Sequence, residues 1–493
     1  MEVIVYGTGL IAVKTLPFLE RKYDIVCYVD SDKQKWGTRF ENHKIVSPLE
    51  INQYKYDRII VASTRYAFEI AGQLVQMGVA RDRIYLCRQF GSDDSGNFDI
   101  YPILPELLET PGLQLIQYDQ QGSEESNNIA VKRVLIFCSF GSVYVKQVVE
   151  NMSRRYDDLE LSILTASKMY SGWVRAKGLK HIYHYTSMAE LKDILEKLPQ
   201  YDAIQMLWIE QDAAFFHKLF REKAKRLLLY IGGSDFYRVS DLERSLKREL
   251  IMCADGVTAE TEDTLREFRA YYGEELAEKA SILPYGLEVL EYIRSGTLED
   301  QENLKRKLEI PLEKIVVTCG HNASTGHQHS DMIDALEKLP ASIKEQIVCV
   351  FPMSYPSGQE GYIASIQSKL NESGLTYATL TQFMNFEEMG HYALGSDIMI
   401  HVQTTDELSG TMLEELCAGS VVIAGRWLPY QCLRDLGVFF EEVDEISDLT
   451  EKLTEIVPAL DRYREKCIPN KAAIWNRCSW DAAAPQWRAI WDG

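Results

Sequence analysis

Residues 396 to 425 read SDIMIHVQTTDELSGTMLEELCAGSVVIAG, and few folds accommodate that order of residues. The apolar run Ile398 to Val402 has the length and composition of a strand buried on both faces. A polar loop containing Gly410 follows, then a helix-forming stretch from Thr411 to Cys417. Ala418 and Gly419 make a small-residue turn, and Val421 to Ala424 is a second apolar strand. The unit is β-loop-α-β, a crossover between parallel strands, and it commits the chain to an α/β architecture. The helix start aims unpaired backbone N–H groups at the loop, which favours negative charge there. Seven residues separate Asp406 from Glu414, and likewise Glu407 from Glu415. Carboxylates so placed can bracket a sugar nucleotide, with the diphosphate at the helix start and ribose hydroxyls donating to a carboxylate.

This segment resembles the donor-binding segment of family 4 glycosyltransferases, enzymes whose two Rossmann-like domains form the GT-B fold. There an acidic residue, seven others and a Glu precede a small-residue turn and an apolar strand. On that resemblance Glu414 matches the ribose-binding Glu, and Asp406 replaces the first one. Gly410-Thr411 and Ala418-Gly419 also resemble a smaller family, which transfers 4-acetamido-4,6-dideoxygalactose to a lipid-linked oligosaccharide in enterobacterial common antigen synthesis. Phe351-Pro352-Met353-Ser354-Tyr355-Pro356, with Tyr362-Ile363 beyond, is similar to a strand-end segment of that family. Gly233-Ser234-Asp235-Phe236-Tyr237, after the apolar strand Leu227 to Ile231, resembles a segment lining the cleft in both families. Cys478-Ser479-Trp480-Asp481 leads into an amphipathic helix, Ala482 to Trp491, similar to the terminal helix of two-domain glycosyltransferases. The resemblance covers residues 130 to 491.

It implies an α/β protein of three Rossmann-like units, the last two forming a GT-B glycosyltransferase with a central cleft. The expected divisions are a Rossmann-like domain over 1–90, a linker over 91–130, an acceptor-side domain over 131–300, a nucleotide-sugar domain over 301–460, and helices over 461–493 that cross back to the acceptor side. A UDP- or dTDP-sugar is the implied donor, with no further cofactor. The acceptor is a glycan, lipid-linked or protein-linked group in bacterial surface polysaccharide or glycoconjugate synthesis.

The strand Lys314 to Cys319 runs into Gly320-His321-Asn322-Ala323-Ser324-Thr325-Gly326-His327-Gln328-His329. Family 4 enzymes carry an Arg and a Lys in this part of the domain for the diphosphate, and this loop has neither. Gly320, His321, Asn322 and Ser324 are expected to substitute, together with Gly410 and Thr411 at the helix start. Three histidines in one loop also raise zinc, but their spacing is not helical and no Cys or carboxylate partner is evident, so no metal is expected. In the acceptor-side domain the strand Arg133 to Cys138 leads into Ser139-Phe140-Gly141-Ser142 and a helix from Val143. Gly141, Ser142 and Gly233 are expected to face the acceptor. Asp235, at a strand end, is the candidate base if the reaction inverts, ahead of Asp212 and His217. For a retaining reaction the diphosphate itself takes the proton.

The chain opens with a strand, Glu2 to Tyr6, and the turn Gly7-Thr8-Gly9-Leu10-Ile11-Ala12, a G-x-G-x-x-A pattern. Asp30 ends the next strand near the offset expected of a ribose-binding acid. Ninety residues are too few for both halves of a dinucleotide fold, so scaffolding or another nucleotide ligand is favoured over NAD(P) at Gly7, Gly9 and Asp30. Two other classes stay open: an NAD-dependent nucleotide-sugar oxidoreductase, and a catalytically silent GT-B-like subunit of a partner glycosyltransferase. A chain starting near residue 125 is expected to fold alone.

Composition narrows the partners. The 493 residues carry a formal charge of −20, which argues against nucleic acid. Ten scattered cysteines with no C-x-x-C pair read as reduced core residues of a cytoplasmic protein. The chain shows neither a leader nor an apolar run long enough to span a bilayer. Lys168, Arg175, Lys177 and Lys180 with Tyr170, Trp173 and Leu179 form a basic aromatic patch. Such a patch reads as a solvated helix face or as a peripheral contact with the inner membrane face. A homo-oligomer or a complex with a partner glycosyltransferase is a further expectation.

Overall fold

The chain divides into two compact units, Met1–Thr258 with Gly493, and Ala259–Asp492. The computed structural model describes residues 1–63, 66–89, 98–104, 131–237, 239–356 and 358–493. The polar runs 91–97 and 119–128 and residues 105–118 lie outside the described residues.

The first unit holds two sheets. In the first sheet, β1 (Glu2–Tyr6), β2 (Asp24–Val29), β3 (Arg39–Phe40), β4 (His43–Val46), β5 (Arg58–Val61), β6 (Ile84–Gln89) and β7 (Phe98–Pro102) lie in the order β3-β4-β2-β1-β5-β6-β7. The pairs β1–β2, β1–β5, β2–β4 and β5–β6 are parallel, while β3–β4 and β6–β7 are antiparallel. The central strands are apolar after their first residue because helices cover them; Val3, Val5, Ala12, Leu19 and Ile60 share one core. β7 falls within the span read from the sequence as linker, so the sheet extends at least to Pro102.

In the second sheet, β8 (Lys132–Phe137), β9 (Leu159–Thr165), β10 (Leu179–His184), β11 (Tyr201–Met206), β12 (Ala224–Tyr230) and β13 (Gly256–Ala259) run parallel in the order β10-β9-β8-β11-β12-β13. This is the doubly wound order, and its switch point lies between β8 and β11. β10 corrects the helical reading of the basic patch. Lys168–Tyr170 is a short 3-10 turn and Leu179–His184 is a strand. Tyr170 is fully buried, and Lys177 and Lys180 pair with Asp157 and Glu160.

The two sheets of this unit are joined by polar contacts out of water. Arg88, at the end of β6, donates to Asp212, whose side chain is 1% exposed. Asp212 also accepts from Tyr185 Oη at 2.7 Å. Asp99 of β7 accepts from the Met188 amide at 2.9 Å, and the Tyr101 ring meets Phe215 edge-on at 5.9 Å. Removing residues 1–125 would strip Asp212 of its cation and uncover this face, so a chain starting near 125 would have to fold without these contacts.

The second unit begins with a short strand, β14 (Ala280–Ile282). Its sheet comprises β15 (Ile315–Cys319), β16 (Ile347–Pro352), β17 (Tyr377–Leu380), β18 (Ile398–His401), β19 (Val421–Gly425) and β20 (Glu441–Val443), all parallel in the order β17-β16-β15-β18-β19-β20. This is again the doubly wound order, with the switch point between β15 and β18. The crossover helix after β18 spans Gly410–Ala418 and ends at Gly419, whose φ of +97° is the left-handed stop that glycine adopts without strain. The terminal helix Trp480–Asp492 buries Trp480, Trp487 and Trp491, and Trp487 Nε1 donates to the Pro284 carbonyl at 3.0 Å.

Breaking one partner of the buried pair should cost more than replacing both. Arg88→Ala is expected to destabilise the chain by about 3–5 kcal/mol in chemical denaturation, because it leaves the buried Asp212 without its cation. Arg88→Met with Asp212→Leu should recover most of that loss.

Candidate functional site

In the second unit the loops after β15 and β18 leave adjacent strands in opposite directions, which opens a crevice at their carboxyl ends. Three expected residues line a small cavity there: His321, Thr411 and Glu414, together with Tyr355, Tyr392 and Glu415. The crossover helix is capped by Ser409, whose Oγ accepts from the Met412 amide at 3.3 Å, so Gly410 and Thr411 are its first two helical residues. Their N–H groups lie in the turn where no intrahelical acceptor exists.

Glu414 and Glu415 are both buried, but they do different things. Glu414 accepts no hydrogen bond from a described residue. Burial, with neighbouring Glu415 adding to it, pushes its carboxyl up to about 8. Glu415 is fully buried and accepts from Ser420 Oγ at 2.5 Å, while its other oxygen lacks a partner. Burial pushes it up to about 8 as well. Asp406 stands apart from this pair. Tyr430 Oη donates to it, and His401 Nε2 lies 3.5 Å away. Burial alone would raise its pKa, but bonds from His401 and Tyr430 outweigh that and hold it below the ordinary value. Asp406 therefore belongs to a buried polar network rather than standing free to meet a ribose.

That network is what sequence reasoning missed. His401 is fully buried at the end of β18, 2.7 Å from Tyr430 Oη and 3.3 Å from Gln403 Nε2. The His321 ring stacks on His401 with centroids 5.6 Å apart and meets His327 edge-on at 4.2 Å. Burial pushes His321 down to about 3 and His329 down to about 4, so both rings are neutral and act as dipoles, not cations. One ring nitrogen of each, His321 Nδ1 and His329 Nε2, has no hydrogen-bond partner among the described residues. Gly320 makes the cluster possible: a Cβ there would lie 2.8 Å from His329 Nε2. The available signal was a histidine ending an otherwise apolar strand, Ile-Met-Ile-His. Asn322 and Ser324 serve their own loop: Asn322 Oδ1 accepts from the Ser324 amide at 2.8 Å, and Ser324 Oγ from the Gly326 amide at 3.4 Å. Among the described residues, no three His, Cys, Asp or Glu side chains stand in a metal-binding arrangement.

The first unit has its own crevice, where the loops after β8 and β11 diverge. Ser142 caps the helix Val143–Arg155 by accepting from the Tyr144 amide at 3.1 Å, and its own amide donates to Tyr170 Oη at 2.8 Å. Gly141 packs against Met169 and Ser167. Gly233 takes φ +86° at the start of the short helix that carries Asp235. Asp235 Oδ1 accepts from the Gly232 amide at 2.9 Å and Oδ2 from the Ile209 amide at 2.7 Å, so it ties the loop after β12 to the loop after β11. Burial pushes it up to about 6 against these bonds and nearby Lys247. Glu210, which the sequence reading passed over, accepts from the Ser139 amide at 2.8 Å and from its hydroxyl; burial pushes it up to about 7.

At the N-terminus Gly7 has φ +107°, and a Cβ on it would meet the Ala62 carbonyl at 3.0 Å. Asp30, the residue read as a ribose acceptor, is already engaged. Thr8 donates to it through its hydroxyl and amide, Lys35 Nζ lies at 3.0 Å, and the Asp32 amide at 2.9 Å. Burial would raise its pKa, but these bonds outweigh that and hold it below the ordinary value. The geometry gives Asp30 a structural task in fixing the loop that contains Gly9.

Residues 1–85 match the family described as C2185-like, N-terminal. No curated protein matches the sequence. The fold, an α/β arrangement with several parallel sheets, is that of GT-B glycosyltransferases. HepE of Anabaena, solved in complex with UDP and glucose, superimposes with a TM-score of 0.61 at 15% identity, covering 73% of this chain and 99% of that one. Sucrose-phosphate synthase of Thermosynechococcus elongatus gives 0.60 at 14% identity over 73% and 98% of the two chains. A glycosyltransferase of Rickettsia africae gives 0.57 at 12% identity over 74% and 98%.

Glu415 provides a test of this electrostatic picture. Its folded-state pKa lies above the unfolded one, near 4.5. Its contribution to stability is therefore complete below about 4.5 and is lost as pH rises through about 8. Glu415→Gln should gain in Tm over the unsubstituted protein as pH rises from 5 to 8, and the gain should level off above 8. A gain independent of pH would show that Glu415 is not buried as a neutral acid.

Proposed function

We propose that the protein is a glycosyltransferase that moves a sugar from a UDP- or dTDP-sugar to a hydroxyl of a glycan or lipid-linked acceptor, in the assembly of a bacterial surface polysaccharide or glycoconjugate. The observation that carries this reading is Glu414. It lines the cavity at the switch point of a doubly wound sheet, on the helix whose first N–H groups are unpaired, and it has no partner of its own. A ribose hydroxyl pair supplies that partner. The likeness to a fold that holds UDP in HepE supports it. The sequence resemblance to 4-acetamido-4,6-dideoxygalactose transfer points to the finer donor class.

In this reading the diphosphate sits against the amides of Gly410 and Thr411. As the anomeric bond breaks, charge builds on the diphosphate, and fixed dipoles in a dry site stabilise it without reorganising. The cavity in the second unit has no Arg or Lys in its wall, and His321 is neutral. The stabilisation therefore falls to N–H groups, from the helix start and from the histidine ring. Asp235 is the proposed base of an inverting reaction: each of its oxygens accepts one amide and keeps a lone pair for the acceptor proton. Membrane association would be peripheral, since among the described residues no helix is long and apolar enough to cross a bilayer.

Two experiments test this. Ribose hydroxyls bind the carboxylate form of Glu414, so the affinity for UDP-glucose should rise with pH until about 8 and then flatten. Glu414→Gln should remove that dependence and weaken binding by about 1.5–3 kcal/mol. An unaltered pH profile in the variant would sink the assignment. Asp235→Asn should leave UDP-glucose affinity intact while lowering the turnover of an inverting reaction by about 10²–10⁴-fold; loss of binding instead would make Asp235 purely structural.

A further inference from the structure

The first unit carries an open cavity of about 300 Å³, within the range of small-molecule pockets. Its wall comes from both sheets of the unit. Trp208, Phe140, Ser139 and Glu210 belong to the loops at the switch point of the second sheet, while Arg88 and Tyr101 come from β6 and β7 of the N-terminal sheet. The cavity has its second wall only because the N-terminal sheet is docked there through Arg88 and Asp212.

The wall has two characters. On one side Trp208 and Phe140 form an aromatic surface, their ring centroids 4.8 Å apart. Trp208 is placed by a missing side chain: a Cβ on Gly232 would fall 2.0 Å from the indole nitrogen. Phe140 remains 43% exposed, large for an aromatic residue with no described partner beyond that indole. On the other side stand carboxylates that cannot move. Glu210 is fixed by Ser139, Asp235 by two amides, and Asp212 by Arg88 and Tyr185.

Charge excludes an anion. Four carboxylates, Glu210, Asp212, Asp235 and Glu243, line the cavity against two cations, Arg88 and Lys247. Both cations are already committed, Arg88 to Asp212 and Lys247 to Glu243 at 2.8 Å and the Asp235 carbonyl at 2.7 Å. A phosphate or a uronate would therefore enter a partly dry space lined by acids, with no uncommitted cation to receive it. A neutral ring with hydroxyls on its edge and C–H bonds on its face meets both walls, hydroxyls donating to the carboxylates and C–H bonds lying on the indole.

We infer that this cavity is a binding site for an uncharged, hydroxyl-rich sugar ring, with the N-terminal sheet forming its second wall. That the ring is the acceptor end of the transferred-to glycan rests on the glycosyl-transfer reading above. The sugar site itself does not.

Saturation-transfer difference NMR on the full-length chain tests it, with the methyl glycopyranosides of glucose, galactose and mannose as probes and UDP thermal shift as a parallel measurement. At least one glycoside should show transfer, strongest at its ring C–H protons. Trp208→Ala, and Phe140→Ala at an exposed position where folding is not at stake, should each weaken it between about two- and tenfold. The UDP shift should be unchanged in both variants. No transfer from any glycoside, or undiminished transfer in both variants, overturns the site even if UDP still binds. Glucose 6-phosphate or glucosamine binding more tightly than every methyl glycoside overturns the uncharged class. Glycoside binding without a UDP shift would leave this site standing and refute the donor reading instead.

Discussion

Arg88 reaching Asp212 is the contact on which the first unit depends. A β-sheet of ninety-odd residues and a second doubly wound sheet meet through a guanidinium and a carboxylate that are both largely out of water. Such a pair adds little net stability over an apolar one, since desolvation offsets the attraction. What it does supply is orientation. The fork of the guanidinium accepts one geometry, Tyr185 and Ser139 complete it, and the loops after β8 and β11 are held as they approach the cavity. The N-terminal sheet thus contributes to a site by shaping it, while its own glycine-rich turn is stabilised internally by Asp30.

The second unit handles polarity differently. Four histidines gather at the ends of β15 and β18, and burial keeps His321 and His329 neutral at physiological pH. A positively charged cradle is the usual way to hold a diphosphate. In the proposed reading that task falls to helix-start amides and ring N–H dipoles, beside a network in which His401 and Tyr430 hold Asp406.

Much of the architecture was legible in the sequence because parallel strands buried on both faces leave long apolar runs. Ile398 to Val402 and Val421 to Ala424 fall within a residue or so of β18 and β19. The ends of those strands, where chemistry collects, were legible at Glu414 and Thr411, which do line the cavity. What was not legible required partners distant in sequence. Arg88 and Asp212 have no local pattern. His401 reads as part of a strand until β15 is placed beside it. Asp406 and Asp30 looked like ligand acceptors because their spacing was right, but each is taken up by neighbours that spacing does not show: Tyr430 in one case, Thr8 and Lys35 in the other. The strand Leu179–His184 was read as a helix face because its alternating basic and apolar residues also fit a short turn of helix.

The sequence separation of Arg88 and Asp212, 124 residues, has a consequence for how the chain is made. The N-terminal sheet leaves the ribosome with its guanidinium and the Asp99 carboxylate still hydrated. At roughly 5–20 residues per second, their partners follow on the order of ten seconds later. In that interval the sheet must persist on its own core of Val3, Val5, Leu19 and Ile60, with the edge formed by β7 unprotected. Docking of the two sheets therefore waits on chain made after the N-terminal sheet, and the cavity has both of its walls only once they have met.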